Sequence, residues 1–444
     1  MLDRIRRLNP QLNAYITVCD GPAIQMAKQA ENELCATSKK KTGRDRGPLH
    51  GIPISLKDNI YTNDIRTTAG SKILTNFVPL HDAPVVRSLK RAGVVLLGKT
   101  NMHEFAYGVT TENPHFGTTR NPWDTQRIAG GSSGGSASAL AAGLCYGSVG
   151  TDTGGSIRIP SSLCGVVGLK PGLARVSPED IVPLAPTLDC AGPLARSVED
   201  TMLLLQPIFI AGKTERKLEI SSTRARRPAS LGIPKEFFLE MLDPEVQKEF
   251  QSALDLLKKS GARIQEVSLP QLAATEEAGS QIAWVEATRY HQQAGWFPQR
   301  EAEYSADVYK RLELGTKVTA VEYLNAMALR DKFKEQILDV FTANKLDTLV
   351  VPTTPITAPR IGEHSIVING DAHPTRALLL RLNRPANLAG IPAISVPCGL
   401  SRGGLPIGLQ FISSWTEEVL LLAIAREFER ACHFAARPNL ELLD

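Results

Sequence analysis

The chain predicts an α/β fold, a mixed and largely parallel β-sheet core covered by helices. Three observations carry this. Short apolar β-type runs alternate with helix-like segments along most of the chain. Runs such as Val94–Leu97 are continuously apolar, as strands buried on both faces are. The 444 residues are 43% hydrophobic and 22% charged, an ordinary globular composition that can bury a large core.

The elements follow in order. Gly51-Ile52-Pro53-Ile54-Ser55-Leu56-Lys57-Asp58-Asn59 reads as a short strand ending in a lysine and turn residues. Val85–Ala92 reads as a helix and Val94–Leu97 as a strand. Residues 121–129 read as turn and loop. Ser138–Cys145 reads as a helix, Val166–Leu169 as a strand and Val198–Ile210 as an apolar helix. A polar break runs from 213–217 to 226–228. Beyond it, Ser230–Pro234, a helix over 244–260 and a strand over 262–268 make a β-α-β unit. Residues 271–345 are largely helical in pattern and Leu346–Pro352 is a strand. Residues 387–411 carry two more strands, and 417–432 is an amphipathic helix. Internal repeats and low-complexity segments are absent.

The chemistry concentrates between Gly130 and Pro160, where two glycine-flanked serines, Ser132 and Ser156, are joined by a run of small residues. Glycine beside serine lets a backbone N–H approach a substrate atom with no Cβ in the way. Two such turns suggest acyl transfer, in which one hydroxyl attacks and N–H groups hold the oxyanion. A flexible linker fits poorly, because an apolar run follows at once. A phosphate cradle would need a lysine after the glycines. Gly131-Ser132-Ser133-Gly134-Gly135 also satisfies the nucleophile-elbow pattern, with Ser133 as nucleophile. That pattern needs a strand just before it and a later histidine, and His364, His373 and His433 have no distinctive setting. Lys57, wedged among Ile54, Leu56 and Ile60, could be buried and so become a base near neutral pH. Alone it reads as a surface lysine; beside the two serine turns, burial becomes the better reading.

Lys57, Ser132 and Ser156, with their flanking sequences and spacing, resemble the amidase signature family. The likeness runs from about Leu49 to Val198 and resumes from Leu349 to Leu409. It includes LysThrAsnMetHisGluPheAlaTyrGly at 99–108, GlyValValGlyLeuLysPro at 165–171 and AsnLeuAlaGlyIleProAlaIleSerValProCysGly at 387–399. The resemblance implies a Ser–cis-Ser–Lys triad, with a cis bond between Gly131 and Ser132. Ser156 would form the acyl-enzyme, Ser132 would relay the proton and Lys57 would take it. Thr153, Gly154, Gly155 and Ser156 would supply the oxyanion-hole N–H groups, and Ser133 would support the network around Lys57. Asp152 and Arg158 are expected to fix the loop as an ion pair. The resemblance further implies one domain, a core of about 1–212 and 346–444 with a mostly helical cap over about 213–345. It also leads one to expect an amphipathic helix ahead of Leu2.

Substrate choice divides two readings. Some motifs look much like those of the A subunit of glutamyl-tRNA(Gln) amidotransferase. In that branch an arginine holds the glutamine carboxylate and an aspartate holds its amino group. Arg311 resembles the arginine. The aspartate is expected about five residues before Pro385, where this chain has Leu380, with Arg381 and Arg384 nearby. A cation there repels an ammonium. The first expectation is therefore a free-standing amidase acting on a carboxamide, with Arg311 and Arg384 as candidate substrate contacts. The alternative is a glutaminase subunit working with amidotransferase partners, and a catalytically silent scaffold is the third reading.

No metal or cofactor is expected. The eight histidines form no zinc-binding spacing. The seven cysteines are scattered and odd in number, which argues against a disulfide framework and for reduced thiols. A net charge of +4 gives no case for nucleic-acid binding, and the basic clusters at Lys39–Arg46 and Arg224–Arg227 read as solvated loops. The first residues lack a secretory apolar run, and the longest apolar stretches are too short to span a bilayer. A cytoplasmic enzyme acting on a small-molecule amide is expected, as a homodimer by family habit or with partner subunits.

Overall fold

The computed structural model describes residues 1–38, 45–210, 228–269 and 271–443. Helix α1 (Leu2–Leu12) buries Ile5, Leu8 and Leu12 along one stripe, the spacing of an amphipathic helix. Strand β1 (Tyr15–Val18), helix α2 (Asp20–Ser38) and strand β2 (Pro53–Lys57) follow. Helix α3 (Pro84–Arg91) starts on a proline, whose fixed φ suits a first turn, and buries Val85, Val86 and Leu89. Strand β3 (Val95–Thr100) leads to a small hairpin of β4 (Arg120–Asn121) and β5 (Asp124–Ile128). Next come α4 (Gly134–Ala141), β6 (Gly147–Asp152), α5 (Arg158–Cys164), β7 (Val167–Lys170), β8 (Cys190–Ala195) and α6 (Val198–Leu205). Strand β9 (Ser230–Pro234), helix α7 (Pro244–Lys259) and strand β10 (Arg263–Val267) form the expected β-α-β unit. Three helices follow, α8 (Ala274–Gln293), α9 (Ala306–Lys317) and α10 (Ala320–Ala343). Strand β11 (Thr348–Pro352) precedes a second hairpin, β12 (Ser365–Ile368) and β13 (Asp371–Pro374). Short helices α11 (Thr375–Arg381) and α12 (Arg384–Leu388), strands β14 (Ala393–Leu400) and β15 (Pro406–Ser413) and helix α13 (Glu418–Cys432) complete the chain.

One 11-stranded mixed sheet runs β1-β3-β2-β6-β8-β7-β14-β15-β11-β9-β10. Parallel pairing joins β3, β2 and β6 near one end and β11, β9 and β10 at the other. The strands between them pair antiparallel. Helices α3, α6, α7 and α13 pack Leu89, Met202, Leu254 and Phe428 onto one face. Helices α1, α4 and α5 cover the other, with Leu8, Leu140 and Cys164 in its core. Helix α5 lies so close to the sheet that only glycine fits beneath it. A Cβ on Gly168 would stand 2.1 Å from the Ser161 hydroxyl, and one on Gly408 2.7 Å from that of Ser162.

Several expectations need correction. Residues 121–129 contain a two-stranded hairpin rather than loop alone. The helix expected over Ser138–Cys145 begins four residues earlier and ends at Ala141. Its glycines are there for close approach: a Cβ on Gly135 would lie 2.4 Å from the Asn101 carbonyl oxygen. Gly143, at φ +65°, turns the chain away after it. Helix α6 stops at Leu205, two residues before Pro207, which has no N–H to donate to the preceding turn's carbonyl. The span expected as a helical cap, 213–345, divides in two. Strands β9 and β10 belong to the main sheet, and helices α8, α9 and α10 form the helical part. The basic cluster at Arg224–Arg227 and the polar break over 213–217 lie outside the described residues, as does most of the cluster at Lys39–Arg46. Arg46 itself pairs with Glu33 at 2.5 Å.

Candidate active site

Strands β2 and β6 are parallel neighbours, so Lys57 at the end of β2 lies beside the end of β6, where Thr151 and Asp152 stand. A crevice at the carboxyl ends of parallel strands is the usual place for a ligand site in an α/β sheet. The loop before α4 brings Ser132 to this crevice, and the loop between β6 and α5 brings Ser156.

Lys57 is fully buried. Its Nζ donates to Ser132 Oγ at 2.8 Å and to Thr151 Oγ1 at 2.7 Å. Among the described residues it makes no ion pair. Burial pushes its pKa down to about 7, against the weaker opposing pull of Asp152 and Asp189. The Gly131–Ser132 peptide is cis. A Cβ on Gly131 would sit 2.8 Å from Thr111 Oγ1, so that position admits no side chain. The Ser132 carbonyl accepts from the His103 N–H at 3.2 Å. The Ser133 N–H donates to the Ser156 carbonyl at 3.1 Å, tying the two serine loops together. The Ser133 hydroxyl donates to the Thr151 carbonyl at 3.2 Å, beside Lys57. The Ser156 hydroxyl makes no hydrogen bond among the described residues, and Ser156 lines an open cleft.

The nucleophile loop is held by a buried ion pair. Arg158 Nη2 reaches Asp152 Oδ1 at 2.9 Å, with both side chains fully buried. Burial raises the pKa of Asp152, but Arg158 outweighs it and holds the carboxyl well below the usual range. Asp152 also accepts from the N–H groups of Gly155 at 2.8 Å and Ile157 at 3.1 Å. This corrects one expected role. The Gly155 N–H is committed to Asp152 and is not free for an oxyanion. The N–H groups of Thr153, Gly154 and Ser156 have no acceptor among the described residues, and all three residues line the cleft.

The expected substrate contacts separate. Arg384 lines the cleft. Its Nη1 donates to the Glu276 carbonyl at 2.6 Å and to Ser280 Oγ at 2.7 Å. Arg311 stands behind the cleft wall. It donates to the Tyr107 carbonyl and pairs with Asp307 at 2.8 Å. Arg381 faces away, pairing with Glu240 at 2.9 Å and Glu276 at 3.4 Å. Leu380 does line the cleft, against Gly154. Arg376 was not foreseen, yet it lines the cleft as well. The signal was a spacing: Arg376, Leu380 and Arg384 fall four apart, one side of a helix-like run. The cleft's far wall is the turn Ala106-Tyr107-Gly108. Phe105, just before it, and Ala106, its first residue, both have positive φ (49° and 58°), a conformation non-glycine residues rarely adopt. His103 anchors this turn through Asp307 at 3.1 Å.

Among the described residues no cluster of metal-ligating side chains occurs, the cysteines form no disulfide, and no helix is long and apolar enough to cross a membrane.

A serine–lysine site at the strand ends of a mixed α/β sheet is the arrangement of amide hydrolases of the Ser–cis-Ser–Lys class. The amidase family profile matches residues 1–422, and the chain belongs to that family. It is 42% identical over 474 aligned positions to the A subunit of the Syntrophobacter fumaroxidans glutamyl-tRNA(Gln) amidotransferase, covering 99% of this chain and 94% of that one. A crystal structure of an amidase superposes with a TM-score of 0.87 at 34% identity, over 97% of this chain and 94% of the other. The crystal structure of the A subunit of the Thermotoga maritima glutamyl-tRNA(Gln) amidotransferase superposes with a TM-score of 0.78, also at 34% identity, over 96% and 89%. These likenesses favour the reading as an amidotransferase component at least as well as a free-standing enzyme, so the free-standing reading loses its precedence.

Proposed function

We propose that the chain hydrolyses a carboxamide C–N bond through an acyl-enzyme on Ser156. The observation that carries this is the Lys57 amino group, buried without a carboxylate partner and 2.8 Å from Ser132 Oγ. Ser156 Oγ attacks the carbonyl carbon, and its proton passes through Ser132 to neutral Lys57. The N–H groups of Thr153, Gly154 and Ser156 stabilise the oxyanion. As the C–N bond breaks, the proton returns through Ser132 to the leaving nitrogen. Water then attacks the acyl carbon, gives its proton to Lys57, and the C–O bond to Ser156 breaks as Ser156 is reprotonated.

Two readings of the substrate have support. Similarity to amidotransferase subunits supports a glutaminase working with partner subunits. The cations of the cleft, with Leu380 where the resemblance places an aspartate, support an amide that carries no ammonium. Ammonia release from L-glutamine and from glutaramate, its counterpart without the amino group, separates them. A glutaminase prefers L-glutamine strongly; the second reading requires the reverse. An acyl adduct on the peptide bearing Ser156, trapped from either substrate and absent in Ser156→Ala, tests the nucleophile. An adduct on Ser133 instead would overturn it.

A further inference from the structure

We propose that Arg376 and Arg384, with the Tyr107 hydroxyl, form a carboxylate subsite beside Ser156, and that the substrate is a short amide bearing a carboxylate and no ammonium. This rests on the hydrolase reading above and names its substrate class. Arg376 forms no hydrogen bond or ion pair among the described residues, and its buried Nε has no partner. The Tyr107 hydroxyl is also buried without a partner. Two unpartnered donors at one small cleft leave a deficit of acceptors that a carboxylate fills. Arg384 adds a second guanidinium. Its stem reaches the cleft along a notch in α8, where a Cβ on Gly279 would stand 2.5 Å from Arg384 Cδ.

The charged side chains that line the cleft, Arg376 and Arg384, are of one sign. No aspartate or glutamate lines it among the described residues. Asp307 is held by His103 and Arg311. Glu276 turns its carboxylate to Arg381 and offers Arg384 only a carbonyl. Burial, then the nearby guanidiniums of Arg311 and Arg384, brings the pKa of Arg376 down to about 9, which leaves it charged at neutral pH. An α-ammonium placed here meets cations and no acid. Ser156, Arg376 and Arg384 line the same small cleft, so the scissile amide and the carboxylate belong to one short molecule. The class that fits is the monoamide of a short dicarboxylic acid.

The test uses the full chain with malonamate, succinamate and glutaramate, each beside its uncharged methyl ester and, for the longer two, beside L-asparagine and L-glutamine. The anionic monoamides should exceed both comparators in kcat/KM by roughly 10- to 100-fold, the range of a charge-assisted contact. Arg376→Met should collapse the anion-to-ester ratio, Arg376→Lys should restore part of it, and Arg381→Met should keep it. A wild-type ratio near one, or a ratio unmoved in Arg376→Met, overturns the subsite. Succinate binding to the Ser156→Ala chain, followed by calorimetry, reads the subsite without catalysis. If no amide is turned over but succinate binds and Arg376→Met abolishes it, the hydrolase reading fails and the subsite stands. Turnover without charge preference fails the subsite alone, and neither turnover nor binding fails both.

Discussion

Lys57 sets the pH behaviour of the site. The base must be neutral to accept a proton, and burial brings its pKa to about 7. Activity should therefore fall as pH drops through about 7, because Lys57 protonates; kcat/KM followed from mildly acidic to alkaline pH checks this, and a flat profile refutes a lysine base. Ser156→Ala should lower kcat by at least about 10⁴-fold, with the fold intact by circular dichroism. These residues were legible because glycine crowds both serines and the lysine ends a strand pattern. Arg376 was less so: its four-residue spacing to Leu380 and Arg384 is a weak signal that gains meaning only once α11 brings Arg376 and Leu380 to the cleft beside Ser156. The engagement of Gly155 was hidden, because it depends on where the Asp152 carboxylate turns.

At the scale of elements, the loop between β6 and α5 depends on the Asp152–Arg158 pair. Arg158 also donates to Gln410 Oε1 and Asn387 Oδ1, both at 2.6 Å, so it joins the loop to β15 and α12. Arg158→Met would leave Asp152 buried and unpaired, at a cost of about 3–5 kcal/mol in urea unfolding. A change within error would show that the pair is dispensable. Helix α5 makes a second demand. Gly168→Ala forces it off the sheet and should cost about 1–3 kcal/mol while lowering activity, since α5 carries the nucleophile loop. Long elements such as α7 and α13 were legible from their apolar stripes. The start of α4 was not, because its glycines are selected by contact with distant backbone rather than by helix propensity.

At the scale of the molecule, burial of Lys57 leaves a mark on stability. Its folded pKa lies below that of the unfolded chain, so the unfolded state binds more protons between about pH 7 and 10.5. The burden on the folded state is full below about pH 7 and is relieved as pH rises through that window. Lys57→Met should therefore be more stable than the parent near pH 7, by a margin that shrinks toward pH 10; urea unfolding at the two pH values tests it. A margin that grows with pH contradicts a neutral buried lysine. The alternation of strands and helices foretold the layered architecture. It did not foretell that β9 and β10 extend the main sheet, because pairing partners are chosen by tertiary packing.

That pairing changes how the helical layer can vary. Strands β10 and β11 both run parallel to β9, so β10 ends where β11 does not begin. The chain must travel the length of a strand between them, and α8, α9 and α10 are the bridge. Descendants of this architecture can lengthen the bridge, shorten it or repaint its inner surface. They cannot excise it as a module with a tight turn: the substrate-facing layer and the continuity of the sheet are inherited together.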